Sequence, residues 1–159
     1  MSGNIVVPCL LAFLIGIVAG MRAMTAPAAI AWAAWLGKLG LSGTWLAFLG
    51  YAWTPWILTL LAAVELVTDQ LPSTPSRTVP VQFGTRIVMG AVCGAALTVG
   101  AGSMLLGAIV GVAGALAGTL GGRAFRARMA AAFGGDRPAA LLEDAIAIGA
   151  AFAVVLVSR

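Results

Sequence analysis

Five apolar runs, at residues 5–20, 54–71, 83–99, 104–121 and 139–157, constrain this chain more than any other feature. A bilayer core of ~30 Å takes ~20 apolar residues as a helix. Inside it every backbone polar group needs an internal partner, which helices supply. Hydrophobic residues make up 62% of the chain and charged residues only 9%, against ~25% charged in soluble domains. Mean hydropathy is +1.07. The expected fold is therefore all-α: a polytopic transmembrane bundle of about five spans, forming one membrane domain over residues 1–159.

The segment between the first two runs does not fit a full crossing. Thr25 is placed to cap a helix and Pro27 to occupy its first turn. The helix expected at 27–36 is too short to span at 1.5 Å per residue, so it is expected to be re-entrant or interfacial. A second short stretch, 41–53, follows a Gly-Lys-Leu-Gly break. Every Trp (32, 35, 45, 53, 56) and the one Tyr, Tyr51, fall within residues 32–56, the crowding that marks a membrane–water interface. Run 5–20 has no basic segment before it and no convincing cleavage site, so it reads as a retained span. Residues 122–133, with Arg123, Arg126 and Arg128, read as a short amphipathic surface helix touching lipid headgroups and setting topology. The loops around Arg77 and around 123–137 hold most of the basic charge, which puts them on the cytoplasmic side. With five spans the N-terminus shares that side and Arg22 lies toward the opposite one.

Charges inside such runs are costly and are kept for a partner or a task. Glu65 and Asp69 are spaced i,i+4 and share a helix face, with Thr68 beside them. Glu143 and Asp144 open the last run. Paired carboxylates can hold a hard cation, share a proton or pair with arginine. Arg22, Arg77 and Arg86 are the basic candidates, and the helix start at Thr25 is a candidate anion site for Arg22 to complete. Against these stand plainer readings: Asp69 at the water interface, Glu143 and Asp144 complementing a helix N-terminus, and Arg22 as an interfacial anchor.

Gly16-x-x-x-Gly20 recurs as Gly114-x-x-x-Gly118, and at the same offset Gly37 meets Gly135. Halves 1–71 and 104–159, joined by span 83–99, would be an inverted repeat, since the spans between them reverse direction. Transporters place their sites at such repeat interfaces, near broken helices. The glycines also have a simpler use as packing contacts.

Histidine is absent, which removes the commonest general base and transition-metal ligand. Cys9 and Cys93 form no CxxC and read as inert buried thiols. No phosphate-binding glycine loop or Ser/His pair is present. No cofactor is expected, nucleophilic or zinc catalysis is disfavoured, and the net charge of +4 does not point to nucleic acid.

Three stretches resemble a family of small bacterial integral membrane proteins catalogued as domain of unknown function 4126. They are residues 19–29, from Ala19 through Arg22 and Thr25 to Ala29; residues 65–78, with the pattern E-x-x-x-D-x-L-P-x-T-P-S-R-T; and Leu141-Leu142-Glu143-Asp144. Gln70 stands where such members often carry Lys. The resemblance implies an integral protein of the bacterial cytoplasmic membrane and supports this choice of residues. It carries no activity.

The leading expectation is a transporter or channel for an ion or small polar solute, without enzymatic activity, using Glu65, Asp69, Glu143, Asp144 and one or more arginines. The alternatives are a non-transporting scaffold or lipid-binding assembly factor, and an enzyme acting on lipid headgroups. Glycine-rich faces invite a homo-oligomer, with a dimer favoured.

Overall fold

The computed structural model describes residues 5–69 and 79–158, all in helices, turns and connections. Six α-helices follow one another: α1 Val6–Met21, α2 Thr25–Trp35, α3 Thr54–Thr68, α4 Pro80–Thr98, α5 Met104–Phe133 and α6 Asp136–Val157. A 3-10 turn, Trp45–Gly50, joins α2 to α3, with Thr44 capping it through Leu46 N–H. Three segments are long and apolar enough to cross a membrane: Pro80–Ala101, Met104–Phe133 and Asp136–Val157. Val6–Met21 and Thr54–Thr68 are apolar but shorter, at roughly 24 and 22 Å.

The centre is a glycine seam. Helix α5 lies between α1 and α4 and touches both through bare backbone. A Cβ added at Gly111 would stand 2.1 Å from Gly90 O, one at Gly94 2.2 Å from Gly107 O, and one at Gly118 2.2 Å from Ile17 O. Lipid tails are as apolar as Leu, so this close approach, rather than a hydrophobic effect, drives such packing.

The same contacts fix direction. Phe13, Ile17 and Gly20 meet Gly114, Gly118 and Thr119 in ascending order, so α1 and α5 are parallel. Gly90 and Gly94 meet Gly111 and Gly107 in descending order, so α4 is antiparallel to both. Helix α2 turns back along α3, with Trp32 Nε1–H donating to Thr59 Oγ1 at 3.0 Å and stacking edge-on to Trp56 at 5.0 Å. Each helix therefore reverses the one before it.

Three expectations are corrected by this arrangement. The matching glycine spans run in the same direction, so an inverted relation does not describe them. The parity differs because α2, too short to be counted as a passage, still reverses the chain. Arg22 consequently sits at the same end of the bundle as Asp69, not the opposite one. Finally, residues 122–133 are not a separate surface helix. No breaker interrupts them, and α5 runs on until Gly134, whose φ of 68° ends it in a left-handed cap.

The seam leaves no room for side chains. Gly94→Val is expected to cost about 3 kcal/mol in detergent unfolding. Gly84→Ala, with open space at its Cβ, should change stability by no more than about 1 kcal/mol.

Candidate functional site: a charged cluster at a broken helix

Between α1 and α2 the chain stops being helical for residues 22–24, and Arg22 adopts extended backbone, φ −140° and ψ 107°. Such a break orphans carbonyls behind it and N–H groups ahead of it. Side chains from three other helices satisfy them. Arg86, six residues into α4, donates to Gly20 O at 2.9 Å and Met21 O at 2.7 Å. Thr119 of α5 donates to Gly20 O at 3.2 Å. Glu65 of α3 accepts from Ala23 N–H at 2.7 Å and Met24 N–H at 2.8 Å, one bond to each carboxylate oxygen. A cation thus meets the negative end of α1 and an anion the positive end of α2, as the helix dipoles favour.

Thr25 was the expected cap. It is instead the first residue of α2, with no side-chain cap bond at Met24. Glu65 replaces it from a distant helix, because a carboxylate can take both N–H groups at once where a hydroxyl takes one.

Arg22 itself points into the bundle and is fully buried. It is ion-paired with Asp69 at the end of α3 and with Asp144 of α6. Arg86 NH2 stands 3.9 Å from Glu65 and 4.0 Å from Asp69. At the rim, Arg126 of α5 binds Asp136 through Nε at 2.8 Å, reaches Asp69 O at 3.4 Å and lies 3.9 Å from Glu143. Arg126 therefore holds carboxylates rather than headgroups alone, while Arg123 and Arg128 enter none of these contacts.

All five carboxylates of the chain belong to this one network, with three arginines among the described residues. Glu143, Arg86 and Asp144 are 0%, 1% and 7% exposed. Charges so far from water require paired, hydrogen-bonded neighbours. Arg22 Nε and Thr25 Oγ1 are buried donors without a hydrogen-bond partner among the described residues.

The structure thus brings together Glu65, Asp69, Glu143, Asp144, Arg22 and Arg86. Thr68 stays on the exposed side of α3, where its hydroxyl donates to Glu65 O at 3.2 Å. Arg77 lies outside the described residues. Thr119 and Asp136 escaped the sequence reading. Asp136 had a signal, as an acidic residue in a first helical turn. Thr119 had only its place beside Gly118. Among the described residues no group of three His, Cys, Asp or Glu could hold a metal ion.

No protein-family model matches the chain, and no curated protein or solved structure shows significant similarity to it. The site rests on its own geometry.

Removing one buried partner strands the others. Arg22→Met is expected to destabilise the protein by about 3–5 kcal/mol. Adding Asp144→Asn should recover about 1 kcal/mol or more through the lost repulsion. Unfolding of these two variants and of Asp144→Asn alone in detergent checks this; strictly additive losses would show that Arg22 and Asp144 do not interact.

Proposed function

We propose that this protein moves a proton or small hard cation across a membrane through the charged cluster at the α1–α2 break. The observation that carries the reading is that Glu65, Asp69 and Asp144 converge on one interrupted helix, with Glu143 and Asp136 joined to them through Arg126, in a bundle otherwise almost free of charge. Transporters use discontinuous helices in this way, exposing N–H and C=O groups that a continuous helix would consume. The cluster lies below the bundle end, roughly 9 Å into α4 and 12 Å into α6 by residue count. Carboxylates without histidine or thiolates suit protons and hard cations. The described geometry, with Glu65, Asp69 and Asp144 paired and shielded at the break, corresponds to a closed state. Opening requires Asp144 or Asp69 to leave Arg22.

In this reading α1 and α3 complete a membrane bundle with the three longer helices, and α2 with the 3-10 turn forms a partial return between them. The bias of basic residues toward the cytoplasm supports that side for the cluster end, on the sequence positions of Arg126 and Arg77. Residues 19–29, 65–78 and 141–144, which carry the resemblance to domain of unknown function 4126, supply most of the cluster.

One observation favours a second reading. Apart from Asp136 at the rim, the carboxylates are paired and largely shielded from water, as a charge-locked scaffold requires. Flux separates the two. In proteoliposomes the transport reading predicts proton or monovalent-cation flux with wild type and at least tenfold less with Asp144→Asn, the variant remaining folded. Absence of flux for every solute in a cation, proton and small-anion panel, with Asp144→Asn losing stability, would replace transport with the scaffold.

A further inference from the structure

A cavity of about 510 Å³ lies between α2, α3 and α6, beside the cluster rather than within it. Helices α3 and α6 both flank α2 but do not pack along one another among the described residues, so a slot opens between them with α2 as its floor. Ala28, Ala29 and Trp32 form that floor, Ala63 and Leu66 one wall, and Phe152 part of the other. The floor from Thr25 to Leu36 is roughly 16 Å long. Small side chains in the floor keep the slot deep. Phe152, which lines it, is strongly exposed, as expected of a surface facing hydrocarbon.

The one unsatisfied polar group in this slot is the Thr25 hydroxyl. Thr25 is 8% exposed, lines the cavity, and its Oγ1 has no hydrogen-bond partner among the described residues. An orphaned hydroxyl in an apolar slot is costly unless an occupant completes it. It sits at the slot's end nearest the cluster, since Glu65 holds the adjoining Met24 N–H. That end lies on the side of the bundle where α4 and α6 begin and α5 ends, roughly 9–12 Å below those termini, so it faces the glycerol and headgroup side of one leaflet.

We propose that the slot is a binding site for one membrane phospholipid. One acyl chain lies along α2 between α3 and α6, and its ester carbonyl accepts a hydrogen bond from Thr25 Oγ1. A water-soluble ligand has no polar wall to meet here. About 510 Å³ over a floor of roughly 16 Å leaves a mean cross-section of about 30 Å², room for one extended acyl chain but not for a helix of a second copy, 10–12 Å across. The site does not depend on the transport reading, because no cluster carboxylate contributes to it.

The test is a retained-lipid count. Protein extracted in mild detergent is studied by native mass spectrometry, and a phospholipid carrying a diazirine in its acyl chain is photo-crosslinked in liposomes. Wild type is expected to keep about one phospholipid per chain and to crosslink at Ala29, Ala63 or Phe152. Ala29→Phe, which fills the slot, should lower retention and slot crosslinking at least tenfold. Thr25→Val, which keeps shape and removes the hydroxyl, should lower retention severalfold. Leu105→Phe, on an exposed position outside the slot, should change neither, and equal melting temperatures keep the comparison valid. Should Ala29→Phe melt early, Thr25→Val alone decides. Crosslinks spread evenly over all lipid-facing helices, or retention unchanged in Thr25→Val, would overturn the proposal. So would slot residues crosslinking to a second copy of the chain.

Discussion

The break between Met21 and Thr25 is the constraint on which the rest depends. Four backbone groups lose their helical partners there, among side chains that offer no water. Gly20 O, Met21 O, Ala23 N–H and Met24 N–H are all taken by side chains from α3, α4 and α5. Left unpaired in an apolar medium, each would cost several kcal/mol by general scale. Satisfying them places Glu65 on one side of the break and Arg86 on the other. Arg22, in extended backbone between them, is thereby directed at Asp69 and Asp144.

The glycine seam makes this geometry reachable. Arg86 reaches the carbonyls of α1 only because α4, α5 and α1 meet at backbone distance through Gly90, Gly111 and Gly16. Thr119 donates to Gly20 O one residue beyond Gly118, which itself rests on Ile17. Packing and electrostatics are therefore coupled: a side chain inserted in the seam would separate the charges as well as the helices. The lipid slot is a consequence of the same design. Helix α2 is short and small on its outer face, so α3 and α6 are held apart where a longer helix would have filled the space.

Much of the fold was legible in hydropathy. Apolar runs located α1, α3, α4 and α6 to within a few residues, and the rarity of charge singled out the residues that meet in the cluster. Direction was not legible, because α2 falls below the length of a crossing yet reverses the chain, and hydropathy does not encode that turn. The roles of the charges were hidden for a related reason. Glu65 caps a helix whose N-cap residue, Met24, lies 41 residues earlier in the sequence, so no local capping pattern exists. Arg126 looked like a headgroup contact because its neighbours Arg123 and Arg128 share its spacing. Only the continuation of α5 past Gly122 brings it beside Asp136 and Glu143.

Amide hydrogen exchange at Ala23 and Met24 tests the central claim most directly. If Glu65 closes the break, both amides exchange slowly in wild type, although neither lies within a regular helix. In Glu65→Gln, which keeps one acceptor and loses the charge, they should exchange at least tenfold faster, while amides of the α1–α5 seam stay protected. Rapid exchange of both amides in wild type would contradict the account, since the break would then be open to water without the carboxylate that organises the cluster.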